Sequence, residues 1–256
     1  MTIGEFVAIL LAGIGAGTIN TVVGSGSLIT FPTLVALGYP PLISNVSNNI
    51  GLVPGALSGA YGYRRELAGQ RPRLQRLMPA SALGALAGSS LLLVLPSDVF
   101  DSVVIVLIVL ALVLVVTQPR ISRRLQARRQ ASETAHQHRD VTPVVIGLVA
   151  LAGVYGGYFG AAQGIILIAT LGIFVDDSLQ RLNGCKNMLS LTVNSVAAVV
   201  FVLTTEIDWA VVGVIAIGST IGGQVGAKVG RRLDPRILRG VIVCVGLVAL
   251  VRLIAG

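Results

Sequence analysis

The polar residues best placed to do chemistry lie inside a run that is otherwise apolar. Within GAGTINTVVGSGSLITFP, Asn20 is followed by Gly24, Ser25, Gly26 and Ser27, with Thr30 and Pro32 just beyond. Glycines permit a sharp turn and bare the backbone N–H groups, and a helix starting after such a turn presents the positive end of its dipole. A segment of this kind can cradle an anion. The same residues also suit plain packing, with Gly and Ser letting helices approach and Asn20 capping a break. A second segment, GVYGGYFGAAQGIILI, repeats the design with Gly160, Gln163 and Gly164, and its Tyr155 and Tyr158 add hydroxyl donors. Two breaks of one kind favour the anion reading.

A second constellation follows each break. Asn45 and Asn49 stand four residues apart, as do Asn183 and Asn187, so each pair shares one helix face. Side-chain amides donate to an oxyanion without bringing a charge; capping or bonding between helices is the competing use. Lys186, beside Asn187, is one of three basic residues outside the main basic segments. It suits neutralisation of a substrate, while a lysine near a helix end also snorkels to the membrane interface. Enzyme signatures are missing: there is no HExxH and no phosphate-binding Gly-Lys loop, and His136 and His138 sit in a polar stretch. Cys185 and Cys244 have no CxxC partner, and the acidic residues fall at segment ends or in loops. No catalytic residue, metal or cofactor is expected.

The elements that must carry these groups are set by composition. Of 256 residues, 54% are hydrophobic and 12% charged, and mean hydropathy is +0.86, which places the chain in lipid as an all-α integral membrane protein. Helix-length apolar runs appear at 42–63, 77–95, 99–117, 187–204, 209–229 and 236–255. Two more, 4–37 and 141–175, are too long for one straight crossing and contain the two glycine-rich breaks. Eight hydrophobic segments are therefore expected.

Charge placement orients them. Sixteen of the 19 Lys and Arg lie in 64–76, 118–140 and 228–239, and positive residues in short loops mark the cytoplasmic side. The same placement explains the net charge of +8 without a nucleic-acid partner. With these three segments inside, 141–175 starts and ends inside and 4–37 ends outside. Each long run then reads as a re-entrant hairpin, tolerated at membrane depth when buried in protein or lining a cavity; full crossings of both runs are the other reading. The halves align at an offset of 138 residues, which lays Asn45 and Asn49 on Asn183 and Asn187, and Gly84 and Gly88 on Gly222 and Gly226. One hairpin plus three crossings per half makes the repeats inverted, with a site expected at their interface. The division is 1–117 for the first repeat, 118–140 for a basic cytoplasmic linker and 141–256 for the second repeat. The ladder Gly218, Gly222, Gly226 and Gly230 reads as a packing face.

The pattern N-x-x-x-G-x-G-S-L-I-x-x-P over residues 20–32, followed by SNVSNN, resembles the sulfite exporter family TauE/SafE. GGYFG, the Lys186-Asn187 pair, TEIDW at 205–209 and the glycine ladder resemble that family's second half, so the likeness runs nearly end to end. It implies a permease of the bacterial inner membrane that moves sulfite or small organosulfonates. Relatives with a G-x-G-G-G-like break differ from this chain, which has Gly24-Ser25-Gly26-Ser27 and Gly160-Ala161-Ala162-Gln163. The expected partners are a small anionic substrate and the lipid bilayer, with room for a homodimer. The competing function is a non-transporting scaffold subunit of a larger complex.

Overall fold

The computed structural model describes residues 1–132, 140–229 and 235–255. Among them the regular structure is ten α-helices: α1 (Ile3–Val22), α2 (Ser27–Ala36), α3 (Pro41–Gly62), α4 (Arg71–Val94), α5 (Ser97–Ser132), α6 (Pro143–Tyr158), α7 (Gln163–Phe174), α8 (Leu179–Thr204), α9 (Trp209–Val229) and α10 (Pro235–Ala255). Helices α1, α4, α8 and α9 and the Ser102–Arg120 stretch of α5 are long and apolar enough to cross a membrane. Large apolar side chains face outward on them, among them Leu11, Leu83, Leu203 and Ile217, as lipid-facing surfaces require. This is an all-α integral membrane architecture.

Helix ends differ from hydropathy ends where charged turns extend a helix beyond lipid. Helix α4 starts at Arg71 rather than 77, because Pro72 suits a first turn whose N–H groups have no helical partner anyway. Helix α8 starts at Leu179 rather than 187, since Ser178 Oγ accepts from the Arg181 N–H as an N-cap. Helix α5 continues to Ser132 into the expected linker. The rest of that linker, 133–139 with His136 and His138, lies outside the described residues, as do 230–234 of the third basic segment, including Gly230.

Both long runs are broken where the glycines stand. In the first, α2 folds back along α1: a Cβ at Gly26 would lie 2.4 Å from the Ala16 carbonyl, and one at Gly15 would meet Ile29 at 3.6 Å. In the second, the Gln163 side chain returns against Gly156 and the Tyr155 hydroxyl donates to the Ala161 carbonyl. The arms are unequal. Helix α1 has 20 residues and α2 has 10, so the first hairpin has one arm long enough to cross by itself.

Each hairpin packs on the other half of the chain. Helix α1 lies on α9 and α6 lies on α4, through backbone-to-backbone approaches that only glycine allows. A Cβ at Gly222 would fall 2.1 Å from the Ile14 carbonyl, and one at Gly88 would fall 2.0 Å from the Val154 carbonyl. The ladder residues Gly218, Gly222 and Gly226 thus form a packing face. Helix α3 also runs beside α9, pairing Gly51 with Ile215, Gly55 with Ser219 and Gly62 with Ala227. The start of α3 and the end of α8 share one end of the molecule, where burial, Asp208 and Glu5 together push the Tyr39 phenol up. The end of α3 and the start of α8 share the other, where Arg181 donates to the Ala68 carbonyl at 2.9 Å. Helices α3 and α8 therefore run in opposite directions.

Candidate functional site

The two breaks meet. Gly164 N–H donates to the Gly24 carbonyl at 3.0 Å, and a Cβ on either glycine would lie 2.4 Å from the Cα of the other. The crossing needs unusual backbone on both sides, φ +87° at Gly24 and φ +61° at Ala162, its equivalent at the 138-residue offset. A left-handed alanine costs about 1–2 kcal/mol, so the second tip holds strain that the packing around it must offset. A helix start follows each, α2 at Ser27, three residues past Gly24, and α7 at Gln163, next to Ala162. Their dipole ends lie at the crossing, while most of their first N–H groups are taken: Leu28 and Ile29 donate to the Ser25 and Gly26 carbonyls, and Gln163, Gly164 and Ile165 to the Gly160, Gly24 and Ala162 carbonyls.

Ser25 and Gln163 occupy equivalent positions beside this crossing. Both are almost completely buried. Ser25 Oγ and Gln163 Nε2 have no hydrogen-bond partner among the described residues, and neither have Asn49 Oδ1 and the Tyr158 hydroxyl. Buried polar atoms without partners are costly. Gly26 packs against Asn20, and Gly160 turns the second tip with φ +79°. Asn20 and Ser27 are half-buried.

The asparagines and Lys186 tie helix ends together. From one face of α8, Lys186 Nζ donates to the Asn20 and Thr21 carbonyls at 3.0 and 3.1 Å. Asn183 and Asn187 Nδ2 also reach the Thr21 carbonyl, at 3.4 and 3.3 Å. These are the last carbonyls of α1, which have no helical partner of their own. In the other half Asn45 Nδ2 donates to the Tyr158 carbonyl at 3.0 Å, the last of α6. Asn45 and Asn187 therefore spend amide N–H on backbone. Lys186 is 0% exposed; it lies two turns inside α8, so it does not snorkel. Among the residues whose burial is described it is the one charged side chain that is buried, and no carboxylate is buried with it. Two of its three N–H donors are used, leaving the third.

The sulfite exporter TauE/SafE family model matches residues 9–253. This chain belongs to the TauE/SafE sulfite exporter family. Over 252 residues it is 25% identical to the probable membrane transporter protein ORF9 of a Sinorhizobium species, covering 96% of this chain and 91% of that one. It is 24% identical to the probable membrane transporter protein YfcA of Escherichia coli K12, over 97% of this chain and 87% of the relative. A probable membrane transporter protein of Haemophilus influenzae is 24% identical over 93% and 91%. No solved structure matches. The family is one of membrane transporters, and this member is a multi-pass membrane protein.

Several groups in this TauE/SafE member escape a reading by residue type. Thr21 contributes a backbone carbonyl, which sequence does not advertise. Asn48 is buried and accepts from the Thr30 hydroxyl; its place in SNVSNN was the available signal. At the Arg181 end, Asp177 accepts from Arg73 at 2.7 Å and Arg181 at 2.8 Å, and Arg73 also reaches Asp140 at 3.1 Å. Burial raises the Asp177 carboxyl, but bonds from Arg73, Arg181 and the Ser178 N–H outweigh it and hold the group below the usual carboxylate range. Gln70 joins this cluster to α8 through the Arg181 carbonyl at 2.8 Å.

Proposed function

We propose that this protein carries a small sulfur oxyanion, such as sulfite or a short organosulfonate, across the bacterial inner membrane by alternating access. The observation that carries this reading is Lys186: a buried cation with no buried carboxylate among the residues whose burial is described, held beside the crossing of two hairpin tips. In a membrane interior such a charge calls for a mobile counter-ion. The unpartnered Ser25 and Gln163 side chains supply neutral donors for it, and the helix starts at Ser27 and Gln163 bring positive dipole ends. Asn49, Gly24, Gly26, Gly160 and Gly164 shape the same region. The protein acts as a carrier and not as an enzyme.

The halves work as inverted repeats, a reading supported by the opposed directions of α3 and α8 and by the reciprocal packing of each hairpin on the other half. The first repeat is 1–117 and the second 141–256, with 64–76, 118–140 and 228–239 in the cytoplasm. One hairpin then enters from each side, and access alternates as one hairpin with its partner helix shifts against the other. Sulfite and methanesulfonate flux into proteoliposomes of the purified protein is the test. Flux that survives Ser25→Ala, Asn49→Ala and Lys186→Ala unchanged would sink the site assignment. Absence of flux together with a stoichiometric co-purifying protein would favour the scaffold reading.

A further inference from the structure

Resting on that reading, we infer that the site discriminates by charge, accepting monovalent oxyanions and rejecting divalent ones, and that Lys186 and Asn48 set this choice. The two residues occupy equivalent positions at the 138-residue offset. Their neighbours show that the equivalence is structural: Asn183 donates to the Thr21 carbonyl at the end of α1, and Asn45 donates to the Tyr158 carbonyl at the end of α6. One turn further along each helix, the second repeat presents an ammonium and the first an uncharged amide. Both side chains are buried, Lys186 at 0% and Asn48 at 1% exposure.

The charge count follows. Among the residues whose burial is described Lys186 is the one buried charge, and its protein partners are carbonyls, which orient the ammonium and bring no negative charge to it. It lies close to the start of α2: its acceptor residue Asn20 touches the N-cap Gly26, whose Cβ would come within 2.9 Å of the Asn20 Cβ. One negative charge on the substrate balances the site. A second would be buried without a counter-charge, and removing an ion from water without compensation is strongly disfavoured. Sulfonates and hydrogen sulfite carry one charge, while sulfate and thiosulfate carry two at neutral pH. All offer similar oxygen faces to hydroxyl, amide and backbone donors, so charge is the feature that separates them here.

The experiment compares methanesulfonate and sulfate, as uptake into proteoliposomes and as the shift each gives in the thermal midpoint of the purified full-length protein. Wild type is expected to favour methanesulfonate at least tenfold in both. Asn48→Lys, which adds a second positive charge at the equivalent position, is expected to move the ratio at least tenfold toward sulfate. Lys186→Arg keeps the methanesulfonate preference, and Lys186→Asn loses response to both anions. Equal handling of both anions by wild type, or methanesulfonate uptake retained in Lys186→Asn, overturns the inference. A methanesulfonate-selective midpoint shift without flux overturns transport and leaves charge selection standing. If neither anion shifts the midpoint or is taken up, both readings fall.

Discussion

Replacing Gly24 by alanine tests the hairpin crossing on which the site rests. Two separable costs meet at this position. Its φ of +87° is unfavourable for an alanine, which costs about 1–2 kcal/mol. The new methyl would also sit 2.4 Å from the Gly164 Cα and 2.8 Å from its carbonyl carbon, well inside the 3.4–4 Å of ordinary contact. Backbone cannot rotate aside as a side chain can, so the tips must part, at roughly 1–3 kcal/mol for overpacking. Parting also weakens the bond from Gly164 N–H to the Gly24 carbonyl, worth about 1 kcal/mol. Together the loss is roughly 3–6 kcal/mol. Two control variants divide it. Gly38→Ala has a similar φ of +92° with nothing within 4 Å, and should lose only the conformational part. Gly164→Ala meets Gly24 at 2.4 Å without a positive φ, and should lose only the steric part. Equilibrium unfolding in mixed micelles, alongside anion uptake, measures all three. If Gly24→Ala is no less stable than Gly38→Ala, the tips do not touch as described and the argument for a shared site fails.

Lys186→Met leaves the Asn20 carbonyl without its donor at about 1–3 kcal/mol, while Thr21 keeps Asn183 and Asn187. Relief of a buried charge offsets that loss, so unfolding should change by less than roughly 2 kcal/mol as uptake disappears; a stable variant with normal uptake removes Lys186 from the site. On α9, Gly222→Ala drives a methyl to 2.1 Å from the Ile14 carbonyl and should cost about 2–4 kcal/mol, whereas Gly213→Ala meets nothing within 4 Å and should gain up to about 1 kcal/mol of helix propensity. Asp177→Asn weakens the bonds from Arg73 and Arg181 at a side chain that is 14% exposed and should cost roughly 1–3 kcal/mol. Because the Asp177 carboxyl is held low when folded, its contribution is present above the unfolded value of about 4 and is lost as pH falls through the folded value. Wild type should therefore lose this increment in acid, and an Asp177→Asn protein should show a shallower loss over the same range.

Particular residues show where reading the chain succeeds. Helices α3, α9 and α10 lie within one residue of their apolar runs. The starts of α4 and α8 were displaced outward by Pro72 and Ser178, since hydropathy locates the lipid boundary and not the cap. The breaks at Gly24 and Gly160 were legible because each glycine cluster falls inside an apolar run too long for one straight crossing. Lys186 was legible as a candidate but not as a buried one, since its depth depends on how far α8 extends before it. Asn45 and Asn187 were legible as a motif, whereas their acceptors are carbonyls more than a hundred residues away.

Sequence alone determined that this chain is helical, lives in lipid, carries matching Asn and Gly spacings at an offset of 138 residues and breaks twice. Each of these follows from local hydropathy, glycine spacing and charge placement. Tertiary structure alone decided that α1 packs on α9 and α6 on α4, that Gly24 crosses Gly164, and that the Lys186 ammonium rests on the last carbonyls of α1. Carbonyls are identical at every position along the chain, so which of them a buried cation finds is set by how the helices come together.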